Sequence, residues 1–436
     1  MSGIIQSLIG SLKAGFSYYF AIYSNSTFVG NPFGPSRAPT DQVLIDSTGN
    51  IYIGGNSVSG TNYSMAVAKI NSTGSTVTWG RKIGTAQVNI CCNGYYTFEG
   101  GICVDSSGNV YMVGGTNDTI GGWFGYIVKY NSSGTLQFQN TISQTSDGNY
   151  TFLAVGCVYD SVNDCIYVVS NSRQGYPSFL TKYDTAGSVV WAVTTNYIFS
   201  CVTTDSSGNV YVGGTNGASP YAGIGLYKFN SSGTLQFQFA TGIYGSSQYS
   251  YGIAVDSSGN IYVTGDGGYT SSAGVSAFLI KYNSSGTVQW SRGLVGAGFG
   301  RSVQIGDDGF IYMAYATGWV KYNSSGTLQL QREIMTTNGF YSIVFGANLN
   351  IYLCGYVAQS PTSWILTNVP KDGSKTSPSI TVSSFTFSYV ASSYTEQDAG
   401  LTAISTTATV SSITPVAASA SGTSASITIT PTVTTI

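Results

Sequence analysis

The sequence predicts an all-β fold of seven consecutive four-stranded units, and three observations predict it. Charged residues are only 8%, while 56 Gly and 33 Tyr stand among abundant Ser, Thr and Asn, the composition of short strands joined by tight turns. The phrase "VDSSGNVY" at 104–111 returns as "TDSSGNVY" at 204–211 and "VDSSGNIY" at 255–262. A second phrase, "KYNSSGTLQFQ" at 129–139, follows each copy of the first in some variant.

Aligned on its tyrosine, the first phrase recurs at Tyr52, Tyr111, Tyr167, Tyr211, Tyr262, Tyr312 and Tyr352. Three copies are worn: "YDSVNDCIY" carries an extra residue, and "GDDGFIY" and "GANLNIY" lack the leading Asp. The second phrase recurs with Lys69, Lys129, Lys182, Lys228, Lys281, Lys321 and Lys371. Seven copies of each alternate at periods of 40 to 60 residues, the spacing of solenoids and propellers. The fifth unit resolves into "YGIAVD", "IYVTGD", "SAFLIKYN" and "TVQWSRG", each alternating apolar and polar residues and separated by Ser-Gly-Asn turns. Four antiparallel strands per repeat make a propeller blade, so the chain reads as an all-β, seven-bladed β-propeller. The reading divides it into an N-terminal docking arm (1–40), the propeller (41–375), and a Ser/Thr/Ala-rich β extension (376–436). The extension's first strand-like segment, "ITVSSFTFSYVAS", is placed to complete the last blade.

The run "AVDSSGNIYVTG…AFLIKYNSSGTVQWS" resembles the bacterial SBBP β-propeller repeat, over roughly residues 41–375. The resemblance implies the fold and no single activity, so it assigns no catalytic residue.

Each repeated residue has a structural role to fill. Asp46, Asp105, Asp205 and Asp256 are placed to accept the amides of the following Ser and Gly in an Asx turn. Gly49, Gly108, Gly208 and Gly259 supply the positive φ of the hairpin. Calcium would need several oxygens per ion, and "DSSGN" offers one carboxylate per copy. The repeat lysines alternate with apolar neighbours and are expected at solvated outer positions. Trp79, Trp191 and Trp290 exchange with Phe138, Phe237 and Leu330 at one strand-four position, which predicts packing between blades. The N-x-[ST] sequons, such as Asn131–Ser133, follow from the turn chemistry.

Composition also narrows the function classes. With no histidine, the chain lacks the usual general base and transition-metal ligand. A net charge of −2 gives no basic field for nucleic acid. Seven cysteines (91, 92, 103, 157, 165, 201, 354) form no CxxC pair; they are expected as buried thiols, with Cys91–Cys92 in a loop. The N-terminus lacks the charge and cleavage pattern of a signal peptide, and no run is long enough to span a membrane, so an unprocessed soluble chain is expected. No cofactor and no metal are expected.

The short phrases fall on one face of the propeller, and the variable two–three and four–one connections on the other. Those loops carry Tyr95, Tyr96, Trp123, Tyr176, Tyr197, Tyr221, Tyr249 and Tyr269, a set suited to binding glycan or protein. The acids Glu99, Asp118, Asp147 and Asp266 lie on the same face without a spacing that selects a catalytic pair. Both termini, "MSGIIQSLIGSLKAG" and "AGLTAISTTATVSSITP", look similar to the ends of phage tail and fibre proteins. The first expectation is therefore a non-enzymatic virion component, oligomeric within its assembly, that uses the loop face for host-receptor or subunit binding. The alternative is a secreted or surface propeller that binds carbohydrate, and the third reading is a propeller glycosidase or lyase.

Overall fold

The computed structural model describes residues 19–24, 43–59, 62–83, 100–117, 123–143, 152–172, 178–195, 197–216, 223–243, 248–267, 275–335, 340–346, 350–357, 363–374, 377–382, 385–391, 396–397, 401–404, 410–413, 416–419, 424–426 and 430–435. Within these residues every regular element is a strand.

Seven sheets form the molecule, each with a four-stranded antiparallel blade at its heart. Blade 2 illustrates the order: Gly100–Val104, Val110–Asn117, Trp123–Tyr130 and Leu136–Ser143, each paired to the next. Alternation of apolar with small or polar residues puts one face of each blade against the blade before and the other against the blade after. The core is accordingly seven separate layers, one between each pair of neighbours. Tyr52, Val67 and Trp79 of blade 1 meet Ile102, Val110 and Tyr130 of blade 2. The ring closes where Tyr352, Cys354 and Leu366 of blade 7 meet Val43, Ile51 and Ala66 of blade 1. The first strands of successive blades touch one another around the whole ring, which places them innermost.

Closure uses both ends of the described chain. Blade 7 takes three strands from 340–370, and its fourth is Tyr19–Ser24, with Ala21 opposite Leu366. Part of the segment read as a docking arm thus lies inside the protein's own last blade. The extension behaves differently from the expected completion of blade 7. Its first two strands, Ser377–Val382 and Phe385–Ala391, form a hairpin on the outer edge of blade 6.

From there the extension runs backwards around the rim and adds a fifth strand to every remaining blade. Glu396–Gln397 joins blade 5, Leu401–Ile404 blade 4, Val410–Ile413 blade 3, Val416–Ser419 blade 2 and Ser424–Ser426 blade 1. Thr430–Thr435 ends it on blade 7, antiparallel to Tyr19–Ser24. Each addition is only two to six residue pairs long. A backbone hydrogen bond returns about 0.5–1.5 kcal/mol net and fixing a residue costs about 1–2 kcal/mol. No single blade therefore holds its piece of this belt, which depends on a preformed ring and on continuity from blade to blade.

Candidate functional site

The repeated phrases build the turn face, and their polar groups are consumed there. In blade 2 the Asp105 carboxylate accepts Ser107 N at 3.0 Å, Asn109 N at 2.9 Å, Asn109 Nδ2 at 2.7 Å and Tyr111 Oη at 3.2 Å. The sequence expectation placed the second amide on the Gly; in the structure Gly108 N donates instead to the Asp105 carbonyl, and the carboxylate reaches Asn109. Asp46, Asp205 and Asp256 repeat the arrangement, with Tyr52, Tyr211 and Tyr262 donating at 2.9–3.2 Å. The second phrase is its amide copy: Asn131 Oδ1 accepts Ser133 N at 3.1 Å and Thr135 N at 2.8 Å.

Burial alone would raise the carboxyl pKa of Asp46 and Asp205, but the converging hydrogen bonds outweigh it and hold both below the ordinary value. The tyrosines move the other way: burial, reinforced by the neighbouring carboxylate, pushes the Tyr52 and Tyr211 hydroxyls well above the usual range.

Blade 6 shows how a worn copy is repaired. With the leading Asp replaced by Gly306, Asp308 bonds Tyr312 Oη at 2.7 Å and Lys321 Nζ at 3.0 Å. Its pKa is likewise lowered, against the effect of burial, by Tyr312, Lys321 and the Phe310 amide. Blade 7 has no acid at this position, and Asn368 Nδ2 donates to Tyr352 Oη at 3.1 Å. The register Tyr352↔Asn368 matches Tyr312↔Lys321 and corrects the sequence alignment. Asn368 holds the repeat-lysine position, while Lys371 lies in the following turn, bonded to Asp307 of blade 6.

The repeat lysines are not solvated outer residues, and the reason is the neighbouring blade. Lys129 lies 4.9 Å over the Tyr111 ring and donates to the Thr185 carbonyl of blade 3 at 2.8 Å. Lys69, Lys182 and Lys281 reach Ser132, Ser231 and Ser324 carbonyls of the next blade in the same way. All four are half-buried, and the side chains of Lys69 and Lys129 are 11% and 14% exposed. Trp79, Trp191 and Trp290 lie between blades as the sequence predicts, and each indole N–H also donates at 3.1 Å to the carbonyl its blade's lysine uses. Arg81 and Arg292 add a third bond, to Gly134 and Gly326 carbonyls. These groups clasp one blade to the next.

Of the eight aromatic residues proposed for recognition, the structure describes three. Tyr197 is half-buried against the layer between blades 3 and 4. Tyr249 opens the first strand of blade 5 opposite Asp266, and Trp123 opens the third strand of blade 2 opposite Asn117. Tyr95, Tyr96, Tyr176, Tyr221 and Tyr269 lie outside the described residues, as do Glu99, Asp118, Asp147 and the Cys91–Cys92 pair. Blade 6 departs from the expected long connections on this face, since only Ala316 and Thr317 join its second and third strands.

Sequence reasoning passed over Arg301. It is 6% exposed on the innermost strand of blade 6, with its guanidinium 5.3 Å from the Tyr251 ring and 5.0 Å from Phe299. The available signal was its position, as the one cation on any described first strand. Cys103, Cys157, Cys165, Cys201 and Cys354 are free and buried, and burial pushes the Cys354 thiol up to about 12. Among the described residues, no three His, Cys, Asp or Glu side chains gather as a metal site would require. Among them too, no helix is long and apolar enough to cross a membrane.

The geometry defines a β-propeller repeat protein, and comparison with known proteins agrees at that level. Residues 241–268 match the SBBP β-propeller repeat family. No curated protein matches the chain. Similar solved structures include virginiamycin B lyase from Staphylococcus aureus, at 12% identity over 80% of this chain and 99% of that one, with a TM-score of 0.49. The WD40 domain of Pan2 from Neurospora crassa is similar at 8% identity over 79% and 95%, TM-score 0.49. A gluconolactonase from Xanthomonas campestris is similar at 13% identity over 78% and 99%, TM-score 0.38. Identities this low carry no activity across to this chain.

Proposed function

We propose that this chain is a non-enzymatic structural component of a large assembly, a bacteriophage virion, whose variable loop face binds a host receptor or a neighbouring subunit. The observation that carries the reading is the consumption of the repeat's polar groups. The described Asp, Asn, Tyr, Lys and Trp of the two phrases close hairpins or clasp blades, leaving recognition to the connections that differ from blade to blade. The similarity of both termini to phage tail and fibre ends supports the virion setting. Quantitative mass spectrometry of purified particles tests it: the chain is expected at a fixed copy number per particle, and its absence from particles refutes the reading.

The SBBP match favours a second reading, a surface or secreted propeller that binds carbohydrate. A cleaved N-terminus on cell-associated protein, with retention on a glycan array, would establish that reading instead. Hydrolysis of a polysaccharide by the wild type and not by Glu99→Gln would replace both with an enzyme.

A further inference from the structure

Both ends of the described chain meet at one place, on the turn side of blade 7. Tyr19–Ser24 is the fourth strand there, with Tyr19 opposite Asn368, near the turn after Pro370, and Tyr23 opposite Trp364, toward the loops. The belt reaches the same spot. Along blades 1 to 6 it pairs on the loop side, but its last strand runs the length of blade 7, from Thr430 opposite Ser24 to Thr435 opposite Tyr19. Residues 1–18 lie outside the described residues, and they join the ring at this point on the turn face, beside the end of the belt.

The sequence of that segment follows a different period from the blades. The described elements are strands, whose side chains alternate with a period of two. In residues 1–18 the apolar positions are Ile4, Ile5, Leu8, Ile9, Leu12 and Phe16, spaced by one, three and four. At about 100° per residue these six fall within an arc of about 140°, and Ser2, Gln6, Ser7, Ser11, Lys13 and Ser17 all fall outside it. That is the sequence pattern of an amphipathic helix, whose apolar side needs a partner.

The described surface near this exit does not supply one. The large apolar side chains exposed by more than a third are Leu136, Val162, Val190 and Phe239, and all belong to blades 2, 3 and 4. At blades 6 and 7 the turn face instead carries Asp307 and Asp308, both paired with Lys371, and Asp372, which accepts the Ser374 amide. A lipid surface fits poorly as well, because helices that lie on membranes are rich in Lys and Arg, and Lys13 is the one charged residue in this segment. The chemistry that remains is an apolar groove on another protein.

We propose that residues 4–16 dock through this apolar arc into a groove of a neighbouring subunit, so that the turn face points into the assembly and the loop face points out of it. The inference rests on the assembly reading and gives it an attachment point and a direction. A subunit that grips the chain just before Tyr19 meets the turn face, whose repeated polar groups are spent in closing hairpins. The connections that vary from blade to blade lie on the opposite side and stay open to a receptor.

Quantitative mass spectrometry of particles assembled with full-length variants tests it. Ile5→Asp, Leu8→Asp, Leu12→Asp puts three charges on the apolar arc, and Gln6→Asp, Ser7→Asp, Ser17→Asp puts the same three outside it. The first variant is expected to lower the copy number by roughly 10-fold or more, since it would bury charge in an apolar groove, and the second to match the wild type. Equal copy numbers for the two variants overturn the proposal while leaving the assembly reading standing; absence of the wild type from particles sinks both. If circular dichroism shows that the first variant is unfolded, Leu8→Asp alone is read by the same criterion. A folded reporter domain fused after Ile436 should be excluded from particles, and the same domain inserted between Val357 and Ser363 should be admitted; any other pattern overturns the orientation. Flotation of the wild type, and not of the first variant, with phosphatidylcholine–phosphatidylglycerol vesicles would make lipid the occupant and overturn the proposal.

Discussion

Replacing Gly134 by Ala isolates the packing between blades. Gly134 closes the second turn of blade 2 with φ +79°, and an added Cβ would fall 2.7 Å from Trp79 Cδ2 of blade 1. Two costs add: an L residue in the left-handed region, about 1–2 kcal/mol, and an overpacked contact, about 1–3 kcal/mol. Gly309, in the first turn of blade 6, separates them, because its φ is +73° but nothing lies within 4 Å of its Cβ position. Gly309→Ala should therefore cost about 1–2 kcal/mol and Gly134→Ala about 2–5 kcal/mol. Urea midpoints at a common m-value measure both. A Trp79→Leu background should bring the cost of Gly134→Ala down toward that of Gly309→Ala, since only the backbone component remains. If the two glycines cost the same within about 0.5 kcal/mol, the Trp–Gly contact does not couple the blades and the clasp argument fails.

Acid should act through the hairpin carboxylates. The folded pKa of Asp46, Asp205 and Asp308 lies below the unfolded value of about 3.9, so their contribution is complete above that pH and is lost as pH falls through the folded values. Thermal melts at low pH should show the loss, with a shallower slope in Asp205→Asn; an unchanged slope counts against the network. In alkali the sign reverses: the raised Tyr52 and Tyr211 pKa values stabilise the fold below pH about 10, and that support is lost as pH rises. Tyrosinate absorbance at pH about 10.5 should therefore be much smaller for native than for denatured protein. Ala21→Pro removes a backbone donor from a strand paired on both sides and should destabilise by roughly 2 kcal/mol or more, with proteolysis starting in blade 7. Cys103, Cys157, Cys165, Cys201 and Cys354 should resist alkylation until denaturation, and rapid native labelling of any of them would contradict their burial.

Local chemistry was legible because each signal it needs is local. The hairpins, the four-strand unit and the tryptophans between blades follow from phrases that carry their own turn residues, such as Asp105, Gly108 and Asn109. The lysine clasp was missed because its acceptor is a backbone carbonyl more than 40 residues away, as with Lys129 and Thr185, and a carbonyl has no sequence signature. The Lys371 alignment failed for a related reason: register decides the partner of Tyr352, and only pairing reveals that it is Asn368. The belt was illegible for a third reason. Ser/Thr/Ala strands of two to six residues have no apolar face that names a partner, so their pairing is fixed by the edges the ring presents. Of the aromatics expected on the loop face, the two with described side chains, Tyr197 and Tyr249, are half-buried.

The belt's path limits what it does for the ring. In blades 1 to 6 its strands meet the outer strands only on the loop side, away from the turns where lysine, tryptophan and arginine clasp neighbouring blades, while in blade 7 it pairs with all of Tyr19–Ser24. In blades 1, 2, 3 and 5 the two systems therefore hold opposite ends: side-chain bonds to carbonyls near the turns, and backbone pairing near the loops. Each clasp joins two blades, whereas the belt is one chain that visits all seven and ends beside Tyr19–Ser24. A blade that tilted outward at its loop end would break belt pairs at its own edge and pull on those at the next. The strand ends on the loop side therefore keep their relative positions, as the proposed binding of one partner by several connections requires.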